Sequence, residues 1–217
     1  RAGAALQHLE FIQIHPTALP TPVPLLVTEA LRGAGAVLRR ADGSSFMELY
    51  HAMESLAPRD IAAQAVYKES LASPAGIVLD ARHISDLYNR FPAVVEHCLA
   101  RGINPAVDLI PITPAAHYMC GGVATDIDGR TTLAGLYACG ETACTGLHGA
   151  NRLASNSLTE ALVTARRAAL AADNEPDSGP DEIPKAPPYP TPAKSDGNAA
   201  EVVALRTEIG RLMWNNV

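Results

Sequence analysis

The chain has 217 residues, of which 47% are hydrophobic and 18% charged, and its formal net charge is −6. A chain this apolar can bury a core, which excludes global disorder, and its negative charge argues against nucleic acid as a partner. No apolar run approaches the roughly 18 residues that span a membrane, so no membrane association is expected. The sequence does not start with Met, and we expect it to be an internal piece of a longer protein.

The first half alternates strand and helix patterns. A strand-like run ends at His15, and a hairpin is predicted over residues 37–47 around Asp42-Gly43. A helix is predicted over residues 58–72 and a strand over residues 76–81. The next helix, residues 92–101, begins with Pro and ends before Gly, with four residues predicted to face the core: Val94, Val95, Cys98 and Leu99.

The second half reads as strand, turn and helix. A hairpin is predicted over residues 122–137 around Asp128-Gly129, followed by a short buried strand over residues 136–140. Ser157 and Glu160 form an S-x-x-E pattern, which predicts a capping box at the start of a helix ending near Asp173. The apolar stripe predicted for that helix consists of Leu158, Ala161, Leu162, Ala165 and Ala169.

A proline-rich segment separates the last two parts of the chain. Residues 173–200 contain seven prolines and few large apolar side chains, which predicts an extended linker. Residues 201–214 then show helical spacing of apolar residues.

The four cysteines, Cys98, Cys120, Cys139 and Cys144, contain no C-x-x-C pair and no cysteine–histidine spacing typical of zinc. We therefore predict no metal site, and reduced thiols in a cytoplasmic protein.

Four polar segments stand out from the apolar background. His15, the Glu29/Arg32 pair and Arg59 occupy the first three, and each in isolation is also typical of a structural hydrogen bond or a surface ion pair. The fourth, residues 114–157, is rich in Gly and leads into a helix N-terminus, which is typical of an anion or cofactor site. The polar side chains that we single out in this segment are His117, Glu141, His148, Asn151, Arg152 and Asn156.

Six motifs occur in order along residues 1–172: HPTALP, LLVTEALRGAGAVL, LAPRDIAAQAV, PAAHYMCGGV, GLYACGE and TGLHGANRLASNSLTEAL. In these motifs the chain closely resembles the flavoprotein family of succinate dehydrogenase, fumarate reductase and L-aspartate oxidase. The wording HYMCGG and GLHGANRLASNSL is most similar to the L-aspartate oxidase branch.

The resemblance implies an α+β capping domain, the C-terminal part of an α/β, Rossmann-like FAD-binding domain, and the start of a C-terminal helical domain. Residues 1–10 would end one FAD-domain segment, 11–113 would form the cap, and 114–172 the returning FAD-domain part. The linker 173–200 and the first helix of a truncated helical domain, 201–217, would follow. No G-x-G-x-x-G motif occurs in the chain, so the N-terminal Rossmann half is expected to be missing.

The resemblance also implies an activity: flavin-dependent oxidation of L-aspartate to iminoaspartate, with oxygen or fumarate as acceptor, in quinolinate and NAD biosynthesis. Arg59, with Glu29 and Arg32 as a relay, would be the catalytic group. His15, Thr28, His117 and Arg152 would bind the dicarboxylate, and closure of the cap would bring them together. The FAD-binding residues would be Glu141, Asn156, Ser157 and Leu158.

Aspartate and fumarate are the expected small-molecule partners, and quinolinate synthase is an expected protein partner. Two alternatives stay open at this point. The chain could belong to a fumarate reductase or succinate dehydrogenase flavoprotein, which acts on a dicarboxylate without an amine. It could also be a non-catalytic fragment that holds FAD weakly or not at all.

Overall fold

The computed structural model describes residues 3–21, 24–175, 203–205 and 207–208. Residues 3–176 form one compact unit. In this unit the strands are β1 (Leu6–Gln7), β2 (Ile12–Leu19), β3 (Leu25–Leu26), β4 (Val37–Arg40), β5 (Ile77–Asp80), β6 (Ile110–Met119), β7 (Gly122–Ala124) and β8 (Ala143–Cys144). The helices are α1 (Glu29–Gly33), α2 (Arg59–Ala72), α3 (Leu87–Arg90), α4 (Pro92–Leu99) and α5 (Asn156–Asp173).

The larger sheet has five strands in the order β3-β2-β6-β5-β4, and all its pairings are antiparallel. Its longest strands, β2 and β6, pair at the centre, and α2 packs against both. Inward-facing aliphatic side chains of the sheet and α2 form the core, because burial removes their apolar surface from water. Among the fully buried members are Leu38, Val66, Ile77, Leu79 and Ile110.

The smaller sheet has the order β1-β7-β8, with β7 and β8 parallel. The glycine pair before and at the start of β7 allows two backbones to approach closely. A Cβ on Gly121 would lie 1.9 Å from the carbonyl oxygen of His8, and one on Gly122 would lie 2.3 Å from that of Thr142. These contacts explain why the segment needs glycine at both positions.

The predicted helices at 58–72 and 92–101 and the strand at 76–81 are confirmed as α2, α4 and β5. Val94, Val95 and Cys98 are buried as predicted, but Leu99 is 47% exposed, so its inward orientation was wrong. Leu99 follows Cys98 by about 100° around the helix, which turns it away from the buried stripe.

The first predicted hairpin is reduced to a tight turn that is followed by the bridge Arg39↔Ser45. The second predicted hairpin is wrong: Gly129 lies in a tight turn, but residues 122–124 pair with β1 and β8, and the bridge Arg130↔Tyr137 joins two residues that both follow the turn. The predicted buried strand at 136–140 is wrong, since only Tyr137 makes a bridge and Leu136 is 41% exposed. Gly140, at φ +68°, bends the chain into a 3-10 helix there.

The predicted helix after Ser157 is confirmed as α5, but the capping box is wrong. The helix begins one residue earlier, after Ser155, and no side chain caps it. Glu160 cannot cap the helix because its carboxylate binds Thr145 and His148 instead.

The predicted apolar stripe of α5 is wrong as well. Its buried residues are Glu160, Ala168 and Ala171, whereas Leu158 and Leu162 are about three-quarters exposed. Helical periodicity identifies a stripe, but burial requires a packing partner, and the described part of the chain places none on that side.

The remaining boundaries of the sequence-based division stay predictions. Strand β6 runs through residue 113, and Asp173 is the last residue of α5. The rest of the predicted linker, from residue 176, lies outside the described residues. Of the predicted final helix, residues 203–205 and 207–208 are described and are helical. Within the described residues, no helix combines the length and apolarity needed to cross a bilayer.

Candidate functional site

Strand β2 carries three polar residues on one face, Gln13, His15 and Thr17, and all three are buried. Their spacing of two places them on the same side of the strand. β2 pairs with β6 so that Gln13 lies opposite Tyr118 and His15 opposite Ala115. The rings of His15 and His117 therefore meet edge to face, 5.1 Å apart. Strand pairing joins these two histidines, so the expected domain closure is not what brings them together.

A second polar group comes from the first turns of two helices. Glu29 begins α1 and Arg59 begins α2. Glu29 accepts hydrogen bonds from Arg32 Nη2 at 2.9 Å and from Arg59 Nε at 3.1 Å, with a further contact from Arg59 Nη2. Arg32 also donates to the carbonyl of Ser55 at 2.8 Å and is 2% exposed. The alternative of an exposed surface pair is therefore wrong.

Gln13 links this group to the glycine-rich segment. Its Oε1 accepts a hydrogen bond from Arg59 Nη1 at 2.6 Å. Its Nε2 donates to Asn151 Oδ1 and to the carbonyl of Arg152, both at 2.7 Å. The amide thus uses both donor hydrogens and one acceptor position, which leaves one arrangement of its oxygen and nitrogen.

Arg152 is held from the other side by β6. Its Nη2 donates to His117 Nε2 at 3.0 Å, and its guanidinium lies 4.5 Å from the centroid of the Tyr118 ring. Its Nη1 donates to the carbonyl of Leu153 at 3.1 Å. Arg152 Nε is buried without a hydrogen-bond partner among the described residues, as are Arg32 Nε and Arg39 Nε.

Both histidines are neutral. Burial, together with the charge of Arg59 and the neighbouring His117, lowers the pKa of His15 to about 3. The backbone N–H of Thr17 donates to His15 Nδ1 at 3.2 Å, so the ring proton sits on Nε2. Burial and the charges of Arg59 and Arg152 lower the pKa of His117. Arginine can only donate, so His117 Nε2 accepts and its proton sits on Nδ1.

The acid between the arginines is ionised. Burial alone would raise the pKa of Glu29, but the hydrogen bond and charge of Arg59 and the charge of Arg32 outweigh it, so the pKa is lowered. Burial and the charge of Arg59 lower the pKa of Arg32 despite the attraction of Glu29. The three groups thus form a charged network inside a largely buried site.

Thr28 stands apart from the other predicted substrate-binding residues. It is the N-cap of α1, and its hydroxyl accepts from the N–H of Ala30 at 3.3 Å. It lines a separate cavity of about 320 Å³ together with Phe91 and Val94. Its described contacts give it a structural role, and a substrate contact stays a prediction.

The predicted FAD-binding residues lie at two neighbouring elements. Glu141 is in a 3-10 helix, Gly140–Thr142, that packs against α5, and it accepts from the N–H of Met119 at 3.0 Å. Asn156, Ser157 and Leu158 form the first turn of α5.

These residues fit the negatively charged edge of a flavin. The N-terminus of α5 has no side-chain cap, so its first N–H groups and positive dipole end are available to an acceptor. Leu158 is 75% exposed beside them and offers an apolar contact.

The arrangement is suited to a small dianion. Arg59, which binds Gln13, and Arg152, which binds His117, place two guanidinium groups near the neutral imidazoles, and guanidinium groups grip carboxylates with two parallel hydrogen bonds. The structure brings together six of the residues singled out from the sequence, and their roles stay predictions: His15, Glu29, Arg32, Arg59, His117 and Arg152.

Two residues of the site, Gln13 and Tyr118, were not predicted from the sequence. Both stand in segments that had been singled out, but neither was assigned a role. The signal for Gln13 is the alternation of Gln13, His15 and Thr17 in an otherwise apolar strand, because a buried polar face needs partners. No comparable sequence signal points to Tyr118, whose role depends on strand register.

The family described as FAD binding domain matches residues 1–158. The chain is 53% identical over 183 residues to the L-aspartate oxidase of Caulobacter vibrioides, which covers 82% of this chain and 35% of that protein. It is 52% identical over 181 residues to the L-aspartate oxidase of Streptomyces coelicolor, covering 80% and 31%. The chain thus spans about a third of the length of these curated relatives.

The chain is also similar to solved structures of fumarate reductase and Sdh1. A variant of the E. coli quinol fumarate reductase subunit FrdA matches with a TM-score of 0.74 and 32% identity, covering 97% of this chain and 37% of that one. The Mycobacterium smegmatis Sdh1 complex with UQ1 matches with a TM-score of 0.62 and 35% identity, covering 82% and 31%.

Proposed function

The chain belongs to the FAD binding domain family of flavoproteins, and we propose that it carries the substrate site of an L-aspartate oxidase. The observation that supports this most is the pair of arginines, Arg59 and Arg152, arranged about His15 and His117. The motifs that resemble the L-aspartate oxidase branch contribute these same residues. The substrate would be L-aspartate and the product iminoaspartate.

Arg152 would bind one carboxylate of aspartate and Arg59 the other. A ligand carboxylate would complete the hydrogen bonding of the buried Arg152 Nε, which has no described partner. His15, neutral with its proton on Nε2, would donate a further hydrogen bond. Gripping both carboxylates fixes the orientation of Cα, which is the main contribution that positioning makes to a reaction of this kind.

The reaction removes two hydrogens. The Cα–H bond breaks and its electron pair leaves as a hydride, an N–H proton leaves the amine, and a C=N bond forms. FAD, when bound, supplies the acceptor for the two electrons. Glu29 would receive the amine proton through Arg59 or through water, and Arg32 would hold the carboxylate in its ionised form. In this arrangement Arg59 acts chiefly by positioning and polarising, since its guanidinium stays protonated at ordinary pH.

Glu141, Asn156, Ser157 and Leu158 would hold the flavin edge, with the N-terminus of α5 facing the part of the ring that becomes negative on reduction. Thr28, which directly precedes Glu29 in the chain, would also contact the substrate. We further propose that the product feeds quinolinate and NAD biosynthesis with quinolinate synthase as a partner. The four free thiols are consistent with a reducing cytoplasm as the location.

A fumarate reductase or succinate dehydrogenase flavoprotein is the second candidate. It is favoured by the match to the quinol fumarate reductase subunit over nearly the whole chain. Both candidates grip two carboxylates, so the amine separates them.

A chimera tests the proposal. In it, this chain replaces the matching stretch of the Caulobacter vibrioides L-aspartate oxidase, and flavin absorbance verifies that FAD is held. We expect the chimera to oxidise L-aspartate in preference to succinate, measured as kcat/KM for each. A chimera that holds FAD and prefers succinate supports the second candidate, and one that holds FAD and oxidises neither contradicts both.

A further inference from the structure

A buried acid outside the substrate-binding cluster is the starting point. The side chain of Glu160, in the second turn of α5, is 2% exposed. A carboxylate removed from water is costly unless hydrogen bonds replace its hydration. Glu160 has two such bonds: Oε1 accepts from the hydroxyl of Thr145 at 2.5 Å, and Oε2 accepts from Nε2 of His148 at 2.9 Å. Both partners belong to the glycine-rich segment that leads to Arg152.

This segment, residues 145–152, has little structure of its own. Gly146 and Gly149 have φ values of +79° and +54°, and the segment lies outside any helix or strand. Its internal backbone hydrogen bonds are long, at 3.4 Å from Gly149 to Gly146 and 3.2 Å from Asn151 to His148. Its geometry therefore depends on side chains that bind it from outside.

Besides the contacts of Arg152 with β6, side-chain hydrogen bonds hold the segment near both of its ends. Gln13 binds the carbonyl of Arg152 and the side chain of Asn151, as described above. Glu160 binds the other end, and the hydroxyl of Thr145 adds a turn by accepting from the N–H of Leu147 at 3.3 Å. Because both ends of the segment are held, the side chain of Arg152 keeps one position.

A line of ring contacts runs from Glu160 to the arginine. The ring of His148 packs edge to face on Tyr118 with centroids 5.4 Å apart. The guanidinium of Arg152 also lies over the Tyr118 ring, 4.5 Å from its centroid. A shift of His148 would therefore remove the support on which Tyr118 holds the guanidinium.

We propose that Glu160, with Thr145 and His148, is a positioning group that fixes the glycine-rich segment and orients Arg152. Glu160 touches neither the arginines nor any candidate substrate atom, so it acts through its partners. The inference rests on the proposed function only for the role of Arg152 in gripping a carboxylate. Its test measures geometry, so a failure of aspartate oxidation leaves the test intact.

The competing explanation is that Glu160 merely supplies negative charge near the N-terminus of α5. Two substitutions separate the explanations. Glu160→Gln removes the charge but keeps both hydrogen bonds, since its oxygen can accept from His148 while its amide donates to the Thr145 hydroxyl. Glu160→Met removes the charge and both bonds at similar volume.

The experiment is NMR on the full 217-residue chain, with amide exchange followed for residues 146–152 and for α5. We expect Glu160→Met to speed exchange in the segment by about tenfold and Glu160→Gln to stay within about threefold of the parent. The Nε–H signal of Arg152, assigned by its loss in Arg152→Lys, should move toward its unfolded position in Glu160→Met alone.

Three outcomes overturn the proposal: equal effects of the two variants, an effect confined to α5 amides, or no effect in either region. If Glu160→Met does not fold, Thr145→Val replaces it, because that variant removes one hydroxyl from a partly exposed side chain. Faster exchange in Thr145→Val, limited to the segment, supports the proposal, and unchanged exchange overturns it.

Discussion

At the scale of single residues, the site is defined by neutral histidines among charged arginines. The pKa of His15 is lowered to about 3 by burial and by Arg59 and His117, whereas an unfolded histidine titrates near 6.5. Between these values the unfolded chain binds a proton that the folded chain excludes. The contribution of His15 to the free energy of unfolding is therefore intact above pH 6.5 and falls as the pH is lowered toward 3.

We predict that His15→Asn, whose side-chain oxygen can still accept from Thr17, removes this pH dependence. At pH 4.5 the parent should have lost on the order of 2 kcal/mol of unfolding free energy, relative to pH 7.5, that the variant does not lose. Urea denaturation at both pH values measures it. Equal losses in parent and variant would show that His15 is protonated in the folded chain.

Gln13 provides a second prediction at this scale. Gln13→Met keeps the length of the side chain but removes the partner of Arg59 Nη1, of the Asn151 side-chain oxygen and of the Arg152 carbonyl, while Arg59 keeps its bonds to Glu29. The free energy of unfolding should fall by about 1–3 kcal/mol for each group left unpaired. Gln7→Met, at an exposed position on β1, is the matched control and should stay within about 0.5 kcal/mol of the parent. Similar values for the two variants would contradict the role assigned to Gln13.

At the scale of elements, the two faces of α5 differ from what its sequence indicates. Ala168 is buried, and a Cβ placed on Gly129 would lie only 2.8 Å from it. Leu162, by contrast, is 74% exposed.

We predict that Ala168→Leu lowers the free energy of unfolding by about 1–3 kcal/mol through overpacking, whereas Leu162→Ala changes it by less than about 0.5 kcal/mol. Urea denaturation at two protein concentrations measures both. A larger cost for Leu162→Ala, growing with concentration, would mean that copies of the chain cover this face.

Local signals were sufficient for α2 and α4, because a proline at the start and the spacing of apolar residues act within one helix. They were sufficient for β5 because Ile77, Val78 and Leu79 form a short continuous apolar run. Local signals failed where contacts with residues distant in the sequence determine the structure. Glu160 fits the sequence pattern of a capping box, but its carboxylate binds Thr145 and His148 instead. The segment around Tyr137 makes a single bridge and has no neighbouring strand among the described residues with which it could form a sheet. Within the site, long motifs identified His15, His117, Arg59 and Arg152, whereas the contact between Gln13 and Arg59 depends on how α2 packs on β2.

At the scale of the whole molecule, the chain carries the elements proposed to face the flavin but contains no G-x-G-x-x-G motif for a pyrophosphate. We predict that the 217 residues alone bind FAD weakly or not at all, since phosphate and adenine contacts supply much of the affinity for a dinucleotide. A titration followed by flavin fluorescence measures this. Stoichiometric binding tighter than about 1 µM would contradict the prediction.

The central claim, that Arg152 grips a substrate carboxylate, is tested most directly by steady-state kinetics of the chimera carrying Arg152→Lys. Lysine cannot reproduce a bidentate contact, and the loss of about 2–4 kcal/mol corresponds to a fall in kcat/KM for aspartate of about 30- to 1,000-fold. The matched control is Arg166→Lys, on the exposed face of α5, which should stay within about twofold of the parent. The account predicts this contrast, and an Arg152→Lys chimera that holds FAD with kcat/KM unchanged would contradict it.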